Sequence, residues 1–310
     1  MADRSRFNWP RVLGILSAAF LLGALSFAAQ QAFAQKAAGP GPEVCKACHA
    51  DKYETYLKSK MGVTSDPRTP AALGGCAACH GDGTAHVKAG GGRGVGGIIN
   101  PASKTLSVQD RTQICLACHE GEARIHWQGG IHDRSQVTCT NCHRMHVDRD
   151  PVLVKQTQPS VCFTCHKDKR AAMFRFSAHP LRTGWMACSS CHAPHGSVAE
   201  HNLVRNTVNE VCYQCHADKR GPYLWEHPPV REECTNCHNP HGSNNAAMLK
   251  VRPPYLCQQC HVAPFHPSTL YSGNNLPPNV AADKMLGQAC ANCHSKIHGS
   301  NHPSGARFTR

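Results

Sequence analysis

All 20 cysteines of the 310-residue chain fall into one pattern, C-x-x-C-H, repeated ten times. The first five sites are Cys45/Cys48/His49, Cys76/Cys79/His80, Cys115/Cys118/His119, Cys139/Cys142/His143 and Cys162/Cys165/His166. The other five are Cys188/Cys191/His192, Cys212/Cys215/His216, Cys234/Cys237/His238, Cys257/Cys260/His261 and Cys290/Cys293/His294. Two thiols three positions apart can reach both vinyl groups of one porphyrin as thioethers. The adjacent histidine then falls under the iron as its proximal ligand. Zinc knuckles also pair cysteines, but they do not require a histidine directly after the second one. A disulfide framework would leave no reason for ten identical triplets. The chain therefore reads as a carrier of ten covalently bound c-type haems, with no cysteine left over.

The chain has 22 histidines, and twelve of them lie outside the motifs: His86, His126, His132, His146, His179, His195, His201, His227, His241, His266, His298 and His302. His146, His195 and His241 each follow a motif histidine by three residues, and His298 follows by four. A histidine so placed cannot reach the far face of its own haem, because the macrocycle intervenes. It should ligate the iron of a neighbour, which forces the haems close together. His132, His179 and His227 form a second series, seven, nine and seven residues ahead of the next motif.

Positioning such ligands requires a repeating frame, and the two series define one of about 46–50 residues. The duplication shows directly in His166-Lys167-Asp168-Lys169-Arg170 and His216-Ala217-Asp218-Lys219-Arg220. The even spacing of the motifs implies a linear array of equivalent sites. With 21 Pro and 26 Gly and only 19 aromatic residues, the expected fold is mainly α. It consists of short helices and extensive loops with almost no sheet, an elongated multihaem array in which porphyrin replaces side chains as the buried apolar mass. The net charge of +13 would ordinarily suggest a nucleic-acid partner, but no Lys/Arg run reaches four residues. Ten pairs of haem propionates account for the excess instead. One stretch, Gly92-Arg93-Gly94-Val95-Gly96-Gly97, formally matches a dinucleotide fingerprint. It follows no strand-like run and reads as a flexible loop.

Arg4, Arg6 and Arg11, an apolar run over 12–29 and Ala32-Phe33-Ala34 form an export signal, 1–34, whose cleavage leaves 35–310 as the decahaem domain. An uncleaved anchor is the rival reading of this segment.

The stretches 216–222, Leu224-Trp225-Glu226-His227, Cys237-His238-Asn239-Pro240-His241-Gly242-Ser243 and Ile297-His298-Gly299-Ser300 carry a specific likeness. With them the chain resembles the MtrA/MtoA/PioA group (DmsE-type) of periplasmic decahaem cytochromes. The resemblance implies an electron-transfer wire in the periplasm, inserted in an outer-membrane β-barrel porin. Its partners would be that porin, a periplasmic cytochrome or other electron carrier, and an extracellular multihaem cytochrome. It also implies that His86, His132, His146, His179, His195, His227, His241, His266 and His298 are distal ligands. That leaves the first haem one ligand short, where Met61 stands in place of a histidine. Met61 is one candidate; His126 or His302 is the other. A soluble periplasmic shuttle to a reductase uses the same array without a barrel. A multihaem enzyme of the nitrite or hydroxylamine type requires an open iron, which these motifs do not call for.

Overall fold

A computed structural model describes residues 39–261, 290–303 and 305–308. The segment 1–34, expected to be an export signal, and His266 lie outside the described residues. Each motif closes a single helical turn. In nine of them the histidine N–H returns to the carbonyl of the first cysteine at 2.8–3.0 Å. In the tenth, Cys115–His119 ends the longest described helix, Val108–His119. This turn puts both thiols and the imidazole on one side of the chain, the geometry that the spacing demands.

The helices are short because their ends are written into the sequence. Proline occupies the first turn of Pro42–Lys46, Pro70–Leu73, Gln158–Cys162 and Pro228–Glu232, where its missing N–H costs nothing. Ser107 caps Val108–His119 by accepting from Asp110 N at 3.0 Å. Thr207 and Glu210 form a reciprocal capping box on Val208–Tyr213. Extended pairing among the described residues is limited to isolated bridges such as His192↔Leu203 and His238↔Leu249.

The described chain folds as two units. One takes the chain up to Glu120 together with Val137–Asp150 and holds the first four motifs; the other takes Gly121–Gln136 and everything from Pro151, with the remaining six. Three polar side chains, one in the first unit and two in the second, each tie an odd-numbered motif's helix to the even-numbered motif after it. In the first unit Arg111 donates to Thr138 Oγ1 at 3.0 Å and Thr140 Oγ1 at 3.3 Å. In the second, Ser189 N donates to Gln158 Oε1 at 2.9 Å. Asn209 likewise accepts from Cys234 N at 2.7 Å and donates to the carbonyls of Val230 and Arg231 at 3.1 Å. Among the described residues the buried apolar side chains are few: Tyr53, Leu116, Trp127, Met173 and Leu181, with three alanines. Side chains alone do not form the interior of this fold.

Candidate haem sites

The motif histidines face the non-motif histidines in pairs. His80 stands 6.2 Å from His146 between ring centroids, His132 6.2 Å from His166, and His179 6.4 Å from His216. His192 and His241 are 6.0 Å apart, His227 and His261 6.2 Å, and His238 and His298 6.1 Å. Every pair joins one motif histidine to one histidine of the two series. The separations vary by only 0.4 Å while the interplanar angle runs from 9° to 70°. Ring stacking would favour particular mutual orientations as well as a distance range. A shared ion fixes the distance and leaves rotation about the N–metal–N axis free. Two imidazole–metal bonds of about 2 Å, with about 1 Å from each nitrogen to its ring centre, give roughly 6 Å. The pairs therefore fit axial ligation of a common iron.

Each pair supplies only two donors. Among the described residues no group of three or more His, Cys, Asp or Glu side chains is gathered to hold a metal ion. Equatorial ligands must come from a macrocycle, and the thiols stand ready to tether one; the cysteines are all free of disulfides.

The thiols also order the sites. First cysteines lie beside one another in couples: Cys45 with Cys76 and Cys115 with Cys139 in the first unit. In the second unit Cys162 meets Cys188, Cys212 meets Cys234, and Cys257 meets Cys290. Second cysteines bridge between the couples, Cys79 towards Cys118, Cys191 towards Cys215, and Cys237 towards Cys260. Within each unit every motif thus abuts the next.

Exposure corrects the expectation that the ten sites are equivalent. All ten first cysteines are half-buried, whereas six second cysteines, Cys48, Cys118, Cys165, Cys215, Cys260 and Cys293, are exposed. Each first thiol lies against the first thiol of its couple. Cys118, Cys215 and Cys260 still face the second cysteine of the preceding motif. Cys48, Cys165 and Cys293 belong to terminal motifs: Cys48 to the first of one unit, Cys165 and Cys293 to the first and last of the other. Exposure follows the alternation of the motifs: the second thiol is exposed in every odd-numbered motif and in the last, and half-buried at Cys79, Cys142, Cys191 and Cys237.

The rings are aimed by their second nitrogen. Nδ1 of His80 donates to Ile99 O at 2.7 Å, His192 to His201 O at 3.0 Å, His238 to Ala247 O at 2.8 Å and His294 to Arg307 O at 2.5 Å. On the opposing side His132 donates to Pro194 O at 2.8 Å, His179 to Pro240 O at 2.9 Å, His146 to Lys52 O at 3.1 Å and His86 to Val95 O at 3.0 Å. A protonated Nδ1 leaves Nε2 as the lone-pair donor for a metal. Burial lowers the pKa of His146, His227 and His298. Burial and then the nearby Lys169 ammonium bring His241 down to about 4. All four are held neutral, the form that ligates.

His49 and His86 have no imidazole opposite them among the described residues. Met61 sits half-buried in the short turn Lys60–Gly62. His126 and His201 are exposed, and His201 Nε2 pairs with Glu200 at 3.2 Å. The glycine segment read as a flexible loop has a packing role: a Cβ on Gly96 would lie 2.3 Å from His86 N, so only glycine lets that backbone close over the His86 turn.

Two kinds of site residue escaped the sequence reading. One is the glycine after the HxxH histidines His195 and His241. Gly196 has φ +106 and would put a Cβ 2.2 Å from His126 O; Gly242, at φ +121, would put one 2.2 Å from Ala172 O. The recurring His-Gly-Ser was the available signal. The other is the set of carbonyl anchors. The anchor residue His201 and its neighbour Asn202 have φ of 55 and 53, and Ala247 and Met248 have 52 and 54, so the same left-handed turn recurs 46 residues on. Nothing in residue type marks a carbonyl, and His201 serves through its backbone.

Comparison with known proteins agrees with these features. The doubled CXXCH motif family matches residues 179–221 and 227–264, and the NrfB-like cytochrome c-type family matches residues 76–158. The chain is 45% identical over 274 residues to a multiheme cytochrome, MtrA, of Shewanella baltica, covering 87% of this chain and 81% of that protein. It is 24% identical over 131 residues to the cytochrome c-type protein NrfB of Escherichia coli, covering 41% of this chain and 65% of that one.

Proposed function

Because the chain belongs to the MtrA family of multihaem c-type cytochromes, whose work is electron transfer, we propose that it is a decahaem wire through an outer-membrane barrel. In this reading 1–34 is removed on export, 35–310 lies in the periplasm, and the chain enters a porin sheath. It would link a periplasmic electron carrier to an extracellular donor or acceptor, with an extracellular multihaem cytochrome as the outer partner and no catalysis of its own.

The cofactor, once attached, supplies reversible one-electron chemistry at iron. The polypeptide does the rest. The thirty motif residues tether and ligate at ten points. The opposing imidazoles His86, His132, His146, His179, His195, His227, His241, His266 and His298 cap the second faces. At the first site the thioether of Met61 takes that role, supported by the lack of an imidazole opposite His49 among the described residues. The observation that carries the reading is the near-constant separation of the six described imidazole pairs, 6.0–6.4 Å, at unfixed mutual rotation. Two imidazoles at one iron would leave it no open position for substrate, which suits conduction and disfavours a nitrite or hydroxylamine enzyme.

Crossing a bilayer takes about 20 consecutive apolar residues in a helix. Among the described residues no helix is long and apolar enough. Loop-rich backbone cannot face lipid, so passage requires a protein sheath. The likeness of residues 76–158 to the NrfB-like family supports a second reading, a free periplasmic shuttle, since that stretch of motifs recurs apart from the rest of the chain. Co-expression with the candidate barrel separates the two. The wire co-purifies with it and carries electrons across a vesicle wall only in its presence; recovery solely as a free monomer sinks the conduit reading.

A further inference from the structure

Among the motif histidines whose Nδ1 partner is described, one is anchored to a carboxylate and the other four to carbonyls. His80, His192, His238 and His294 all donate from Nδ1 to backbone carbonyls. His143 donates instead to a carboxylate, Asp150 Oδ2, at 2.7 Å. The carboxyl group is itself held in place. Its second oxygen accepts from Arg144 N at 3.2 Å, and its side chain is only 12% exposed. Asp150 lies seven residues beyond His143, where the later repeats bring their anchor nine residues on by a left-handed turn.

A neutral carbonyl and an anion differ in what they do to an imidazole. Both fix the tautomer and aim Nε2. The anion also draws the Nδ1 proton towards itself, which gives the ring imidazolate character and raises its basicity as a ligand. A more basic axial ligand stabilises ferric over ferrous iron. The low exposure of the carboxyl group limits the screening of its charge by water.

We propose that Asp150 is a positioning residue that sets the haem on Cys139 and Cys142 to a lower potential than its carbonyl-anchored neighbours. This rests on the reading that the motifs carry haem. The device works entirely from within the chain and gives an otherwise repetitive array one programmed low step.

The test is a potentiometric titration of the purified holoprotein carrying Asp150→Asn, beside wild type and Asp150→Glu. Asparagine keeps an acceptor oxygen and removes the charge. One haem's transition should move to higher potential, its ferrous-to-ferric ratio at fixed potential rising about tenfold, equivalent to about 59 mV for a one-electron couple. One low-spin ferric EPR component should change with it, and Asp150→Glu should restore both. Haem content is measured in parallel. Wild type without covalent haem removes the underlying reading. Full haem content in Asp150→Asn with titration curves that superimpose on wild type overturns the role of Asp150 alone. A shift in both variants, unrescued by glutamate, also overturns it, because it would mark geometry and not charge.

Discussion

The region from Pro151 onward is built by repetition, whereas the stretch before it is built from exceptions. In the later region the same devices return at fixed intervals. Ala193 N donates to Asn202 O and Asn239 N to Met248 O; Val204 N donates to Cys191 O and Lys250 N to Cys237 O. The bridges Ser177↔Ser243 and Trp225↔Ser300 lie at equivalent places two residues before His179 and His227. In the earlier region each motif is served differently: His80 by Ile99 across a glycine-rich excursion, His143 by a carboxylate, and His49 by no second imidazole among the described residues. Repetition makes sites alike. A conductor that has to bias electron flow needs sites that differ, and the departures concentrate where the frame is irregular.

If the repeats depend on close backbone approach, then Gly242→Ala should do the most damage. The new Cβ would lie 2.2 Å from Ala172 O at φ +121, a conformation side chains rarely adopt. Strain and overpacking of this kind cost about 2–5 kcal/mol. Urea unfolding followed by haem absorbance should show that loss, while Gly41→Ala, whose Cβ would meet nothing within 4 Å, should stay near wild type. Equal midpoints for the two variants would mean that the repeat tolerates separation at this contact.

The same contact marks the boundary of what was legible in the sequence. Motif residues were readable because covalent chemistry fixes their types and spacing, and short loop-joined helices followed from the proline and glycine content. Pairing was readable as a rule, that an HxxH histidine serves another iron, but its reach was not. His241 faces His192 and His298 faces His238, each two motifs back. Even spacing also concealed which second thiols are open, Cys48, Cys118, Cys165, Cys215, Cys260 and Cys293, because exposure is a property of the folded unit and not of the motif. Backbone carbonyls and the contacts against Gly196 and Gly242 have no residue signature. Asp150 was invisible for the opposite reason: one aspartate among many acquires meaning only from a 2.7 Å contact.

The irregular region makes a prediction of its own at the first site. Met61→His should lower that haem's potential, because a thioether favours ferrous iron more than an imidazole does. A tenfold change in the oxidised-to-reduced ratio corresponds to about 59 mV. A near-infrared His/Met charge-transfer band should vanish with it. An unchanged potential spectrum would make Met61 a packing residue and leave Asp150 as the electronic exception of the region.

The smallest effect belongs to the repeats. His201 anchors His192 only through its carbonyl, at 3.0 Å, from a left-handed turn, while its imidazole is exposed. Asparagine tolerates that backbone conformation better than most residues. His201→Asn should therefore leave the potentials in place and change stability by less than about 0.5 kcal/mol. The matching substitution at Asp150 removes a charge from the anchor itself and should move one haem. Both variants put asparagine at an anchoring position, so their contrast isolates what the anchor contributes. A silent Asp150→Asn beside an active His201→Asn would invert the picture, placing the tuning in the repeats and making the first region merely irregular.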